Sequence, residues 1–142
     1  MKSNNAFDVL YYKVKSEGYI KGESSSEATV KIRIGERIVH SVAEGIGPVN
    51  ALDSAIRKGL LPHFPILEAV KLKDFWVRVN NGDGDAGTGA SVEVMISSFN
   101  ENSNWITKAV SVDIVRASVE ALIESFKKAI PTPLKKPILD EP

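Results

Sequence analysis

The sequence contains one arrangement of residues suited to ligand chemistry, a pair of glycines followed by a proline where a predicted strand meets a predicted helix. Gly45 and Gly47 are separated by one residue, and Pro48 follows directly. Proline suits the first position of a helix, because its missing N–H would have no intrahelical acceptor there. The next backbone amides, of Val49 and Asn50, would stand unpaired at the positive end of the helix dipole. Such amides bind a small carboxylate or phosphate, although glycines before a helix are also ordinary turn chemistry.

Residues that commonly catalyse reactions are scarce. The chain has no cysteine and two histidines, His40 in a predicted strand and His63 in a loop between prolines. The lack of cysteine excludes a disulfide framework, a thiolate zinc site and a cysteine nucleophile. The two histidines lie in different elements, which favours structural or solvated roles over general base catalysis. We therefore predict no catalytic residue in this chain.

A loop rich in glycine and aspartate, over residues 81–88, is the segment most similar to a metal site. Asp83 and Asp85 have the spacing of a calcium-binding loop, but the acidic ligand that should follow them is missing. A solvated turn is therefore favoured. We predict neither a metal nor a cofactor for this chain.

The charged and aromatic residues of the second half are interpreted as structural. Asp74 and Arg78 fall on one face of a predicted strand and could form an ion pair, which would be structural. Trp76 and Trp105 are expected to be core or interface anchors. No stripe of basic residues accompanies them, as it would on a surface where nucleic-acid bases stack.

Composition favours one compact domain that binds neither nucleic acid nor a membrane. The chain has 142 residues, 43% of them apolar, and its formal net charge is zero. A binder of nucleic acid or of membrane surfaces would carry a basic excess. No apolar run approaches the roughly 18 residues of a membrane span, and the polar N-terminus lacks a signal-peptide core. We therefore predict a cytoplasmic protein.

Alternating apolar residues predict three strands before the helix that begins at Pro48. The first half should form strands over residues 7–14, 28–34 and 37–43 and a helix over residues 48–61. The first strand is apolar on both faces and should be at least partly buried on both sides. Gly35 and Glu36 predict a two-residue hairpin, with glycine first as a type II′ turn prefers.

The second half repeats this order of elements. It should form strands over residues 67–80, 90–96 and 105–110 and a helix over residues 112–130. The apolar face of its first strand changes parity between Leu72 and Phe75, which predicts a β-bulge near Lys73 and Asp74. Ser111 is the expected N-cap of the helix.

The two halves are related by a constant offset, which predicts a duplication. The helix starts at 48 and 112 differ by 64, the first and second strands follow the same offset, and the third drifts by about three residues. We predict a single α+β domain over residues 1–142, made of two βββα units (about 6–62 and 66–130) related by a pseudo-two-fold axis. Residues 131–142, with four prolines, should form a flexible tail.

This fold leaves apolar sheet faces that must be covered. One helix per unit can cover only one face of its sheet. The other faces should meet each other or a second subunit, because large apolar patches are rarely left in water. We therefore predict a homodimer.

Taken together, the motifs resemble a known regulatory domain. The run GIGPVNALD at residues 45–53 is similar to the first helix of the C-terminal allosteric domain of the isopropylmalate and citramalate synthases. Further matches follow in the family's order, and they are Phe64-Pro65, Leu72-Lys73-Asp74-Phe75, Gly87-Thr88-Gly89-Ala90, Trp105 with Thr107, and the run Val110 to Val115. The resemblance covers about residues 7–130 and is greater to the citramalate branch.

The resemblance implies a dimer of duplicated βββα units with a regulatory function. In these enzymes a TIM barrel condenses acetyl-CoA with a 2-oxo acid, which is pyruvate for citramalate synthase. A barrel of that kind needs about 250 residues and is absent from this chain, so the chain itself is not expected to catalyse. The resemblance implies feedback inhibition of an acyltransferase by isoleucine, or by leucine if the parent enzyme is a 2-isopropylmalate synthase.

A free amino acid needs donors for its carboxylate, acceptors for its ammonium group and an apolar pocket for its side chain. The predicted donors are the amides after Gly45 and Gly47 and, by pseudo-symmetry, those after Ser111. The ammonium group could be accepted by strand carbonyls, Asn50 or Asp113. Val49, Leu52 and Ile56 could form the apolar wall, but they also fit the core stripe of the helix. The predicted effector-binding residues are Gly45, Gly47, Pro48, Val49, Asn50, Leu52, Ile56, Ser111, Val112 and Asp113.

Two other functions are compatible with the sequence. A stand-alone interaction module would bind a protein through its open sheet faces and would bind no small molecule. A small hydrolase using His40 or His63 ranks last, because no nucleophile accompanies either histidine.

Overall fold

In the computed structural model, which describes residues 5–80 and 87–131, six strands form two three-stranded antiparallel sheets. The elements are β1 (Asp8–Gly18), β2 (Ser24–Ile34), β3 (Arg37–Gly45), α1 (Pro48–Leu60), β4 (Lys71–Val79), β5 (Val92–Phe99), β6 (Asn104–Ser111) and α2 (Ile114–Ala129). Sheet A has the order β1-β2-β3, and sheet B has the order β4-β5-β6. Short 3₁₀ helices lie at Pro65–Ala69 and Gly87–Gly89. The predicted α+β fold of two βββα units is confirmed.

Equivalent hydrogen bonds in the two units define the repeat. The Ser41 hydroxyl donates to the Ala55 carbonyl of α1 at 2.7 Å, and the Thr107 hydroxyl donates to the Ala121 carbonyl of α2 at 2.9 Å. Both pairs are 14 residues apart, so 66 residues separate equivalent positions of the third strands and of the helices. The predicted offset of 64 was therefore wrong for the helices, and the third strands drift from it by two residues, where a drift of about three was predicted.

The first strands of the two units follow a different offset. Register shifts lie between Val9 and Tyr11 in β1 and between Leu72 and Asp74 in β4, and Val9 and Leu72 are 63 residues apart. The bulge predicted near Lys73 is confirmed, and β1 carries its counterpart. The first strand is thus the one displaced relative to the rest, and not the third. The three additional residues of the second unit lie between β4 and β5.

Local turn chemistry accounts for the first hairpin. Gly35 has a φ of +64°, and no residue other than glycine has positive φ in the described part of the chain. Positive φ at the first central residue only is the geometry of the predicted type II′ turn. The outer side of β1 is open, because Leu10 is 44% exposed and Tyr11 is 45% exposed. The prediction that β1 is at least partly buried on both sides was therefore wrong for the single chain.

The core lies between the helices and the inner faces of the sheets. Each helix packs on the last two strands of its own unit, and α1 also contacts α2. The predicted apolar stripes supply this core, since Leu52, Ile56 and Leu60 are fully buried and Phe126 is 1% exposed. Both units therefore share one cluster of buried side chains.

Arg57 joins three segments at the junction of the two units. Its Nε donates to both carboxylate oxygens of Asp53 at 3.3 Å, and one terminal NH donates to the Leu67 carbonyl at 3.1 Å. The guanidinium also lies 5.0 Å from the ring centre of Phe126 in α2. Burial raises the pKa of Asp53, and the neighbouring Arg57 guanidinium opposes that shift. One cation thus connects α1, the connection between the units and α2.

The ion pair predicted between Asp74 and Arg78 was wrong. Arg78 donates to Glu93 on β5 at 2.9 Å, and Lys108 on β6 lies 3.8 Å from the same carboxylate. Asp74 instead accepts a hydrogen bond from the Phe75 amide at 3.0 Å. The reason is register, because β5 places Glu93 directly opposite Arg78. A cross-strand neighbour is closer than a residue two pairs away on the same strand.

The two tryptophans have structural positions. Trp105 is half-buried, and its indole N–H donates to the Ser125 carbonyl of α2 at 3.1 Å, as expected of a core anchor. Trp76 is half-buried on the side of sheet B that faces away from α2.

Some expectations lie outside the described residues. They include Asp83 and Asp85 of the predicted loop and most of the tail, residues 132–142. Within the described part of the chain, no helix is long and apolar enough to span a membrane.

Candidate functional site

The start of α1 leaves backbone donors without a cap. Gly47 is the N-cap residue, with extended backbone angles (φ −159°, ψ 172°), and no side chain caps the helix. Hydrogen bonding along α1 begins with the Ala51 amide, which donates to the Gly47 carbonyl at 2.9 Å. Pro48 has no N–H, so Val49 and Asn50 contribute the first free amides, as predicted from the motif. Together these two amides form what we call the α1 seat.

The two glycines of the motif have different structural roles. A Cβ on Gly45 would lie 2.6 Å from the Ala51 nitrogen and 2.6 Å from Oδ1 of Asn50, so only glycine allows β3 to end against α1. A Cβ on Gly47 would meet no atom within 4 Å. Gly45 is therefore required by packing, whereas Gly47 leaves the space in front of the helix open.

The side chain of Asn50 holds the loop before the helix. Its Oδ1 accepts a hydrogen bond from the Ile46 amide at 3.1 Å. An ammonium group at this oxygen would therefore have to share it with a backbone donor. The Ile46 side chain itself is 87% exposed beside the α1 seat. Ile46 was not among the predicted effector-binding residues, although an apolar residue between two glycines is an unusual choice for an exposed loop.

The equivalent position of the second unit is occupied by the protein itself. Asp113 is the N-cap of α2, and its carboxylate accepts from the amides of Val115 at 2.9 Å and Arg116 at 3.3 Å. The Asp113 amide donates in turn to the Ser111 hydroxyl at 3.0 Å. The assignment of Ser111 as N-cap was therefore wrong, and α2 begins at Ile114 rather than at Val112. Asp113 is the better cap, because its carboxylate reaches two amides at once.

Comparison of the two units indicates which chemical group the α1 seat could bind. With the offset of 66, Gly47 is the counterpart of Asp113, and Gly45 is the counterpart of Ser111. A carboxylate therefore fills the amides of one helix, while the same place on the other helix holds a glycine with no side chain. In this fold, the first amides of the helix are competent to bind a carboxylate.

The predicted apolar wall divides between the surface and the core. Leu52 and Ile56 have no exposed surface, so a ligand at the α1 seat would reach neither without a movement of the core. Val49 is half-buried and borders the α1 seat directly. On the α2 side, Val112 is 71% exposed and corresponds to Ile46 of the first unit.

A small polar cleft adjoins Gly45 at the end of sheet A. Its volume is about 160 Å³, and it is lined by Lys15, Glu17, Ser25, Ser26, Glu27, Glu44 and Gly45. Three of these residues are carboxylates, which would favour a cationic group over an anionic one. None of the three was predicted as a site residue, because exposed glutamates on strands give no signal without their neighbours.

The histidines are not part of this arrangement. His40 is exposed on β3, and His63 is exposed after α1. Among residues 5–80 and 87–131, no group of three histidine, cysteine, aspartate or glutamate side chains could hold a metal ion.

Replacing Asp113 with alanine should lower the free energy of unfolding by about 1 kcal/mol. The amides of Val115 and Arg116 would lose their acceptor, while no core contact changes. Asp113→Asn keeps a side-chain oxygen at the same place and should retain most of that stability. Urea unfolding followed by circular dichroism measures both variants. Equal stability of wild type and Asp113→Ala would contradict a capping role.

Comparisons with known proteins agree with this architecture. A sequence model described as the LeuA allosteric (dimerisation) domain matches residues 1–130. The chain is 43% identical over 122 residues to the (R)-citramalate synthase of Geobacter sulfurreducens. The aligned region covers 85% of this chain and 23% of that enzyme. It is 41% identical over 100 residues to the (R)-citramalate synthase of Synechocystis sp., covering 70% of this chain and 18% of that enzyme.

A second class of enzyme is also similar. The 2-isopropylmalate synthase of Methanocaldococcus jannaschii is 40% identical over 103 residues, covering 72% of this chain and 18% of the enzyme. The chain therefore spans about a fifth of the length of the curated relatives that it matches.

Proposed function

This chain belongs to the LeuA allosteric (dimerisation) domain family, and from that premise we propose that it binds isoleucine and mediates feedback inhibition of a citramalate synthase. The parent enzyme would be an acyltransferase that condenses acetyl-CoA with pyruvate in the cytoplasm. The names of the relatives support this choice, since several of them are (R)-citramalate synthases. Leucine is the alternative effector, because a 2-isopropylmalate synthase is also a relative at 40% identity.

The observation that carries the proposal is the difference between Gly47 and Asp113. The amides at the start of α2 bind the chain's own carboxylate, and the equivalent amides of α1 have none to bind. A free amino acid brings the missing carboxylate. The amides of Val49 and Asn50 would donate to it, and each charge-assisted hydrogen bond would contribute about 1.5–3 kcal/mol.

The aliphatic side chain of the effector would add the remaining affinity. Ile46, Pro48 and Val49 are apolar residues at the α1 seat that retain exposed surface. Burying an aliphatic side chain contributes about 1.5–3 kcal/mol, so that binding of about micromolar affinity remains after the cost of ordering. Isoleucine differs from valine by one methylene, which limits discrimination to roughly 10–200-fold.

Inhibition requires the effector to favour one arrangement of the dimer over another. Coupling between an effector and a distant active site is typically about 1–3 kcal/mol. A ligand at the α1 seat contacts the loop between β3 and α1, and α1 is joined to α2 through Arg57 and Phe126. Ligand contacts can therefore bias how the two units pack together.

Calorimetric titration of this domain with isoleucine, leucine and valine tests the proposal. We expect isoleucine to bind most tightly and to raise the melting temperature most. A Gly47→Asp variant sharpens the test, because it copies Asp113 and places the chain's own carboxylate on the α1 seat. This variant should be more stable than wild type without effector, and it should bind isoleucine at least about a hundredfold more weakly.

A matched control separates occupation of the α1 seat from the added charge. Gly89→Asp introduces the same carboxylate at another glycine whose Cβ would meet no atom within 4 Å, and it should leave isoleucine binding unchanged. If none of the three amino acids binds wild type, the effector proposal fails. If Gly47→Asp binds isoleucine as wild type does, the carboxylate does not occupy the α1 seat.

A further inference from the structure

The β1–β2 hairpin extends beyond the rest of sheet A. β3 ends at Gly45, which lies directly opposite Ser26 of β2. Beyond this row of residues, β1 and β2 remain paired for two more rows. We call the turn that joins them, residues 19–23, the hairpin tip. The hairpin tip begins three residues beyond the row of Gly45, which is a distance of about 10 Å.

The free amides of α1 point toward the hairpin tip. At its start, α1 lies over the row of Ser26 and Gly45, since a Cβ on Gly45 would lie 2.6 Å from the Ala51 nitrogen. Near its end, α1 lies over the middle of the sheet, since a Cβ on Gly59 would lie 3.1 Å from Cδ1 of Ile32. The helix therefore runs away from the hairpin tip. Because the N–H groups of a helix point toward its N-terminus, the amides of the α1 seat face along the hairpin.

The surface between the α1 seat and the hairpin tip is made of small residues. On the side of β2 that α1 covers, the buried Ala28 gives way, toward the tip, to Ser26 and Ser24. Their partners in β1 are Ser16 and Gly18, and the Ser26 hydroxyl donates to the Ser16 hydroxyl at 2.9 Å. None of these four residues has a side chain longer than that of serine, so they leave room above them for a small ligand.

Two adjoining clefts connect Gly45 with the hairpin tip. Glu17 and Ser25 line the polar cleft beside Gly45, and the same two residues line a second cleft of about 490 Å³. This second cleft reaches Tyr19. Its volume falls within the range of about 300–1,000 Å³ that is usual for sites that bind small molecules. Open space therefore extends from the end of β3 to the hairpin tip.

The hairpin tip exposes two large side chains to water. Tyr19 is 83% exposed, and Ile20 is 100% exposed. The Tyr19 amide donates to the Glu23 carbonyl at 3.1 Å, and the Gly22 amide donates to the Tyr19 carbonyl at 3.0 Å. Both hydrogen bonds lie within the tip, so the tip can tilt as a unit without breaking them.

We propose that the hairpin tip closes over an amino acid held at the α1 seat, and that Tyr19 and Ile20 contact its aliphatic side chain. This rests on the proposed function and adds the residues that distinguish one amino acid from another. The apolar residues at the open seat, Ile46, Pro48 and Val49, lie at the start of the helix, which leaves the opposite side of the ligand in water. Closure of the tip removes that side from water, and discrimination by one methylene depends on such enclosure.

Substitutions at the hairpin tip should weaken binding in proportion to the size of the ligand's side chain. We expect Ile20→Ser and Tyr19→Ser each to raise the dissociation constant for isoleucine at least about tenfold. Alanine has the same carboxylate and ammonium groups but a side chain too short to reach the tip, so its dissociation constant should stay within about threefold of wild type. Calorimetry measures isoleucine binding, and chemical-shift titration by NMR measures alanine binding. Ile38→Ser is the matched control, because it removes an exposed isoleucine at the opposite end of sheet A and should change neither constant.

A fluorescent reporter at the same position tests the closure itself. In Ile20→Trp, isoleucine should shift the emission of the added indole to shorter wavelength as the ring leaves water, whereas Ile38→Trp should show no such shift. Circular dichroism verifies that each variant is folded. If wild type binds isoleucine and both tip variants bind it equally well, or if the reporter does not shift, closure by the tip is wrong while the proposed function stands. An equal loss of alanine and isoleucine binding in the tip variants would also overturn it. If wild type binds no amino acid, both proposals fail together.

Discussion

Gly45→Ala should lower the free energy of unfolding of this domain by about 3 kcal/mol, the upper end of the usual cost of overpacking. The added Cβ would lie 2.6 Å from the Ala51 nitrogen and 2.8 Å from its Cα, distances that real Cβ atoms do not adopt. The obstacle is backbone rather than the end of a flexible side chain. Either the end of β3 or the first turn of α1 must move, and both are anchored in the shared core. Urea unfolding at fixed protein concentration measures the loss.

Gly47→Ala is the matched control, two residues away in the same motif. Its Cβ would meet no atom within 4 Å, and its extended backbone is open to any residue. The expected loss is less than about 1 kcal/mol, since alanine is only a poorer N-cap than glycine. If Gly45→Ala and Gly47→Ala lower the free energy of unfolding by similar amounts, the close contact between Gly45 and Ala51 does not explain the need for glycine at position 45. If Gly47→Ala weakens isoleucine binding at unchanged stability, the function of this glycine lies in the space that it leaves open.

The fold could be predicted from the sequence because it depends on patterns that repeat along the chain. Alternating apolar residues defined the middle strands, and their buried members Val30, Ile32, Val94 and Ile96 now form the core. The parity change between Leu72 and Phe75 correctly indicated the bulge in β4. A duplicated unit gives each of these signals twice. Agreement between local patterns and the global fold is what a single funnel-shaped landscape requires.

Side-chain partners could not be predicted in the same way, because they depend on which of several nearby groups tertiary register brings closest. Arg78 could pair with Asp74 along β4 or with a residue on the next strand, and the register of β5 favoured Glu93. Ser111 and Asp113 are both good N-cap residues. The helix begins where a carboxylate reaches two amides, two residues later than predicted.

The apolar wall of the candidate site shows the same limit. Leu52 and Ile56 lie on the apolar stripe of α1, and a helical period shows only that this stripe faces something apolar. The period is the same for a core and for a ligand pocket. The structure places both residues in the core, while Ile46, which belongs to no periodic pattern, is exposed beside the α1 seat. The polar half of the site was therefore easier to locate from sequence than its apolar half.

Phe126→Ala should have the largest effect on stability, a loss of about 3–5 kcal/mol. The ring is 1% exposed, and the Arg57 guanidinium lies 5.0 Å from its centre. Removal of the ring leaves a cavity and eliminates the cation–π contact with Arg57. Arg57 also donates a hydrogen bond to Leu67 in the connection between the units. Because Phe126 is in the second unit and Arg57 in the first, the loss of stability should affect both units. Urea unfolding should therefore show one cooperative transition at a lower midpoint, by tryptophan fluorescence and by circular dichroism alike.

Phe126→Leu distinguishes loss of volume from loss of the aromatic face. Leucine fills most of the cavity but offers no ring to Arg57, so its cost should be well below that of alanine and should measure what the cation–ring contact adds. Two separate transitions in Phe126→Ala would contradict this account. Both tryptophans lie in the second unit, so that fluorescence would then report an early transition while circular dichroism retained the signal of the first. Such a result would mean that the two βββα units are stable independently, and that a ligand at the start of α1 could not influence α2 through their shared core.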